Sequence, residues 1–192
     1  MKKLEIGPSQ DVHTPDGEPA ETWDTADVTY NATYKVKWGY EPLPIETGTY
    51  DWIHISHVLE HVPWWNTLDA LMDAYLALKF GGRITVWVPD AIKIINLAEA
   101  DPEKFCEVES FWSCGGLNPE RDPWVYMNAR VFWGARPGER GQEQHFHRAM
   151  FGEASLKRLM TKAGFSNVGK IERDVSVDRG HGWMEVGMEG FR

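Results

Sequence analysis

The stretch "YDWIHISHVLEHVPWWNTLDALMDAYLALKFGGRITVWVPD", residues 50 to 90, constrains the fold more than any other part of the chain. Tyr50 to Ser56 alternates and is rich in aromatic and β-branched residues, as a strand is. Asn66 can cap a helix with Asp69 in its first turn. Leu68, Leu71, Met72, Tyr75 and Leu76 then recur at helical spacing, which predicts a helix running until Gly81-Gly82 ends it. "RITVWVPD" follows as a buried strand. Strand, helix and strand in this order argue for a layered α/β sheet.

The flanks extend that sheet. "KKLEIG" reads as a short strand ending at Gly7, and the polar "PSQDVHTPDGEPAET" after it lacks helical periodicity, so a loop should follow the first strand. "TWDTADVTY" and "ATYKVKW" are β-like, and "EPLPIETGT" is a turn-rich connection into Tyr50. Asp90 can cap a helix over "AIKIINLAEA"; from there to about residue 150 the chain reads as irregular around a short apolar stretch near Val125 to Trp133. An insertion of that length is either functional or mobile. A helix over Glu153 to Ala163, stopped by Gly164, leads to "SNVGKIERDVSV" and "GWMEVGMEGF", two strands of a terminal β-hairpin turned by "DRGHG". The expectation is a single domain over residues 1–192, with a mostly parallel sheet and an antiparallel end.

Charge and cysteines narrow the function. A formal net charge of -9 and a pI near 5.2 disfavour a nucleic-acid groove or an anionic membrane surface as partner. Cys106 and Cys114 form no C-x-x-C pair and are expected to be free thiols in a reducing compartment. No secretory apolar run and no membrane-span-length stretch occurs, so a cytoplasmic location is expected. The oligomeric state stays open.

His57-Val58-Leu59-Glu60-His61 fits H-x-x-E-H, in which two histidines on one helical face hold zinc and the glutamate activates water. This would make a zinc hydrolase of His57, Glu60 and His61, with Glu107 or Glu109 as a third ligand. Against it, a strand precedes the motif and Pro63 follows two residues after His61. The same residues fit the rim of a cofactor pocket at the carboxyl end of a strand.

The 50–90 block, "LEIGPS" at the start and "LKRLMTKAGFSNV" near the end together resemble class I S-adenosylmethionine-dependent methyltransferases of the type 11-like group. The resemblance covers most of the chain except residues 100 to 145. It implies a Rossmann-like sheet with a C-terminal antiparallel hairpin, S-adenosyl-L-methionine as cofactor, and methyl transfer to an oxygen or nitrogen of a small metabolite or sugar. It also implies a cofactor site of Gly7, Pro8, Asp27, Leu43, Pro44, Ser56, His57 and Val58. Asp27 falls where the ribose-binding acid is expected, with Asp24 as rival. His61, His145 and His147 are the candidate bases, His147 through the similarity of "HRAMF" to a recurring segment of related enzymes. Residues 105–151 would form an acceptor-binding lid. The chain departs from the family where Gly7 is followed by Pro8, Ser9, Gln10 and Asp11 instead of further glycines, and where the helix after the first loop is shortened. A non-catalytic, cofactor-binding or adaptor relative is therefore the alternative. Methyl transfer from a sulfonium needs positioning and no metal.

Overall fold

The computed structural model describes residues 1–8, 14–28, 31–109, 122–132, 146–174 and 182–192, the side chains of 108, 109, 129 and 130 excepted. Seven strands form one sheet: β1 (Lys3–Ile6), β2 (Trp23–Asp27), β3 (Tyr34–Lys35), β4 (Tyr50–Ser56), β5 (Leu78–Pro89), β6 (Ser166–Ile171) and β7 (Glu185–Phe191). Their spatial order is β3-β2-β1-β4-β5-β7-β6. Strands β1 to β5 pair in parallel, whereas β7 lies antiparallel between β5 and β6. The expected parallel sheet with an antiparallel end is what forms. Helices α1 (Thr67–Ala77), α2 (Ala91–Ala100), α3 (Pro102–Glu109), α4 (Pro123–Val131) and α5 (Glu153–Lys162) complete the described elements.

The two faces of the sheet differ in chemistry because side chains alternate along each strand. On one face Leu4, Ile6, Ile53, Ile55, Ile84, Val86, Val88, Val186 and Met188 pack with Leu71 and Ala74 of α1 and Leu156 and Met160 of α5 in the main core. Each fully buried aliphatic side chain there contributes about 1.5–3 kcal/mol. On the other face Lys3, Glu5, Thr25, His54 and Thr85 are buried among Trp23, Trp52 and Trp87. Much of this polar layer is paired within itself: Trp52 Nε1 donates to Thr85 Oγ1 at 3.1 Å, and His54 Nδ1 lies 2.8 Å from the same oxygen. Lys3 pairs with Asp16, and Trp23 stacks edgewise on Trp52 at 5.1 Å. Among the described residues no α-helix joins β1 to β2, only a 3-10 turn over Ala20–Thr22, in line with the expected loop.

Three local expectations need correction. Helix α1 stops at Ala77, not at Gly81-Gly82, because Leu78 enters the sheet opposite Tyr50. The two glycines lie inside β5, at a break in its register with β4, where Gly81 adopts a φ of 76°. Asn66 precedes α1, yet its side-chain amide donates to the Gly39 carbonyl at 2.9 Å and caps nothing. Finally, the stretch expected to be irregular contains α3 and α4. With α2 they bury Ile94, Phe105, Cys106, Tyr126, Val131 and Met184 in a second core beyond the carboxyl end of β5. The loops "SCGGLNP…" and "WGARPG…", Cys114 and the hairpin turn at residues 175–181 lie outside the described residues.

Candidate functional site

The chain runs from β1 outward to β2 and β3, then returns to place β4 on the other side of β1. Such a reversal opens a crevice at the carboxyl ends of the two central strands. Gly7 ends β1 there, donating its amide to the Ala26 carbonyl at 2.8 Å. Its φ of 77° is left-handed, and a Cβ at this position would stand 2.2 Å from Val58 Cγ2. Only glycine meets both conditions. Pro8 follows as a buried residue, and Asp27 closes β2 one strand away, half-buried.

Ser56 ends β4 and His57 turns the chain out of it with a φ of 55°, which imidazole-bearing residues tolerate better than most. This turn aims the His57 ring between two carboxylates: Nε2 lies 3.0 Å from Glu185 Oε2 and Nδ1 lies 3.3 Å from Glu60 Oε1. Burial alone would lower the His57 pKa, but the Glu185 and Glu60 carboxylates outweigh it and raise it. Burial would likewise raise that of Glu60, but the facing His57 outweighs it and, with His61 and His147 nearby, holds it at about 2. Arg173 extends the network, donating from Nε to Glu185 Oε1 at 2.9 Å and from a terminal nitrogen to Ser56 Oγ at 3.1 Å, its guanidinium lying over Trp87.

Beside this network stand His61 and His147, edge to face with centroids 4.9 Å apart. The segment bearing His147 is stitched to the Leu59–His61 turn, since the amides of Arg148 and Ala149 both donate to the Glu60 carbonyl, at 2.6 and 3.1 Å. The H-x-x-E-H motif is not a zinc helix. Residues 59–61 form a single 3-10 turn and His57 precedes it in the left-handed region, so His57 and His61 share no helical face. Of the acids considered as a third ligand, Glu107 is exposed and the Glu109 side chain lies outside the described residues.

The structure thus brings Gly7, Val58, Ser56 and His57 together, with Pro8 and Asp27 at neighbouring strand ends. Leu43 is buried in the main core with its amide donating to Asp73 of α1 at 2.6 Å, and Pro44 is exposed. Asp24 is engaged elsewhere, accepting from Tyr50. His145 lies outside the described residues. Sequence reasoning missed Glu185 and Arg173. A lone acid opening the otherwise apolar "EVGM" strand was the available signal for Glu185, because a buried carboxylate requires a partner.

A family model described as a methyltransferase domain matches residues 6–170. Comparison with curated proteins gives no match. Among solved structures, a SAM-dependent methyltransferase from Thermotoga maritima is similar with a TM-score of 0.53 at 17% identity, over 99% of this chain and 81% of that one. Another from Methanosarcina mazei is similar with a TM-score of 0.56 at 13% identity, over 100% and 92%. PigF, solved with SAH, gives a TM-score of 0.50 at 15% identity, and this chain covers 50% of its length. At these identities the likeness concerns the fold.

Proposed function

The chain belongs to the methyltransferase-domain family of S-adenosylmethionine-dependent enzymes, and from that premise we propose that it methylates an oxygen or nitrogen of a small metabolite or sugar. The observation that carries the reading is Gly7, a left-handed glycine packed against Val58 at the point where the sheet order reverses. The donor set around it suits the cofactor. Gly7 and Pro8 lead the backbone past the methionine end, and the Asp27 carboxylate can accept hydrogen bonds from both ribose hydroxyls. Val58, with the Ser56 and His57 main chain, borders the crevice on its other side. Adenine would lie toward the β3–β4 connection, where Pro44 is the exposed member of the Leu43–Pro44 pair.

The cofactor supplies a methyl group on a sulfonium, so the protein's task is to align the acceptor and manage its proton. The ion network fixes the turn after β4, since Glu185 and Glu60 hold His57 from both sides and Arg173 holds Ser56. Proton loss from the acceptor is assigned to the neighbouring His61 and His147, with His145 a third candidate. The 105–151 segment, which takes in α4 and the end of α3, is taken as an acceptor-side lid.

Calorimetric titration with S-adenosylmethionine and S-adenosylhomocysteine, on the wild type and on Asp27→Ala, tests the pocket. We expect saturable binding weakened at least about tenfold by the substitution, the loss of a charge-assisted hydrogen bond being worth about 1.5–3 kcal/mol. Absence of binding to folded wild type would sink the proposal, and binding unchanged in Asp27→Ala would remove the ribose role of that residue.

A further inference from the structure

We propose that Glu60, His61 and His147 form a binding site for one divalent transition cation that accepts mixed imidazole and carboxylate ligands, such as Zn2+ or Co2+. One donor atom from each of the three lies within 4.8 Å of the others. Ligands about 2.0–2.2 Å from a common tetrahedral ion stand roughly 3.3–3.6 Å apart, so the longest separation has to close by about an ångström as the side chains adjust on binding.

The surroundings of the carboxylate are the second observation. Glu60 is 2% exposed, and among the described residues neither of its oxygens makes a hydrogen bond; His57 Nδ1 stands 3.3 Å and His147 Nε2 4.0 Å from Oε1. A buried carboxylate needs positive charge beside it, which the His57 imidazole supplies on one side. His57 is turned mainly toward Glu185, at 3.0 Å, which leaves the side of Glu60 facing His147 and His61 open for a ligand. A cavity of about 10 Å³, large enough for one small occupant, adjoins Glu60 and His147 and is closed off by Pro89, Ala91 and Ile94; His61 is not among its lining residues.

The histidines are prepared for ligation. His61 Nδ1 lies 3.2 Å from the Phe146 carbonyl and, facing an acceptor, carries the proton. Its Nε2 then holds the lone pair, the arrangement by which a backbone carbonyl orients a metal-bound imidazole. The Phe146 carbonyl that orients His61 precedes His147, and the Glu60 carbonyl anchors Arg148 and Ala149. The three ligands are therefore locked to one another through the main chain from two distant parts of the sequence. Two imidazoles and a carboxylate leave at least one coordination position open, as in catalytic sites.

The site does not depend on the methyltransferase reading, but it bears on that reading. A coordinated imidazole cannot accept a proton, so with a cation bound an acceptor oxygen held on it would have its pKa lowered and would release its proton to solvent water instead of to His61 or His147.

The test uses the full chain, stripped with chelator and titrated with Co2+ and Zn2+ without any methyl donor. Expected are one cation per chain, visible cobalt absorption from mixed nitrogen and oxygen ligation, and affinity reduced more than about tenfold in Glu60→Gln and in His147→Ala. Should buried Glu60→Gln not fold, the partly exposed pair substituted together, His61→Ala with His147→Ala, carries the comparison, with circular dichroism reporting its fold. No stoichiometric binding by wild type, or binding that survives the double substitution, overturns the site. A parallel titration with S-adenosylhomocysteine alone keeps the failure of this site distinct from failure of the cofactor pocket.

Discussion

Tyr50 shows how one buried group decides between two aspartates that the sequence leaves equivalent. Its side chain is fully buried, its hydroxyl donates to Asp24 Oδ2 at 2.6 Å and lies 3.1 Å from the Tyr34 hydroxyl. Asp24 pairs in register with Leu4, early in β2, and is spent on this contact, whereas Asp27 stands at the carboxyl end of the strand. Three positions separate them, and only the register says which end is which. Burial, and after it the Asp24 carboxylate, push the Tyr50 phenol well above its ordinary 10.0. A group whose folded pKa is raised stabilises the fold fully below its unfolded pKa and loses that contribution as pH rises toward the folded value. Above pH 10 the wild type should therefore lose about 1.4 kcal/mol per pH unit from this group. Tyr50→Phe should start less stable at neutral pH, because it gives up the Asp24 hydrogen bond, and then show a flatter decline. Urea unfolding of both proteins from pH 7 to 11 measures it; parallel declines would show that another group governs the alkaline limit.

At the scale of elements, legibility followed the number of independent signals. The β4, α1 and β5 run was legible because a period of 2, a period of 3.6 and an apolar run follow one another within 41 residues of sequence. Its internal boundary was not, since Leu78, Lys79 and Phe80 suit a helix as well as a strand and only pairing with Tyr50 selects the strand. Helices α3 and α4 were overlooked although each begins on the same dipeptide, Asp101-Pro102 and Asp122-Pro123. The aspartate accepts from the helix amides, Lys104 N at 3.0 Å in one case and Trp124 N at 2.8 Å in the other, and proline takes the first helical position, where no amide is needed. The glycines and prolines nearby masked the signal. Asp90, by contrast, was legible as a cap, and its carboxylate accepts from Ile92 N and Lys93 N. It also sits where β5 hands over to α2 and bridges to Phe151. Asp90→Ala should cost about 1 kcal/mol, within the 0.5–2 kcal/mol range for lost caps, and lower Tm by a few degrees. Asp90→Asn should recover most of that; if both substitutions are silent in thermal unfolding, the cap is not limiting.

For the whole molecule, the sheet is asymmetric: helices α1 and α5 seal one face with an apolar core, while the other buries charge and hydroxyls under a loop. The apolar face was legible from strand alternation. The polar one was not, because Lys3, Glu5, His54 and Thr85 occupy positions that alternation assigns to solvent, and nothing local says that they are covered. Their cover hinges on Trp23, which is 4% exposed, stacks on Trp52, lies under Lys3 with the nitrogen 5.3 Å from its ring, and donates from Nε1 to Asp16 at 3.4 Å. Removing it would leave the Lys3–Asp16 pair and the His54–Thr85 contact open to water. Trp23→Ala should therefore destabilise the fold by about 3–5 kcal/mol, the usual cost of a large aromatic deleted from a packed site. The loss should also be uneven. Amides of β1 and β2, directly beneath the tryptophan, should exchange with solvent faster relative to those of β5 and β7, whose apolar face and antiparallel pairing are untouched. Hydrogen exchange resolved by strand distinguishes the cases. Equal acceleration across the sheet would mean that the polar layer and the apolar core unfold as one unit. Preferential opening of β1 and β2 would place the weakest part of the sheet beneath the same strands that end in Gly7 and Asp27, so that cofactor binding should restore their protection first.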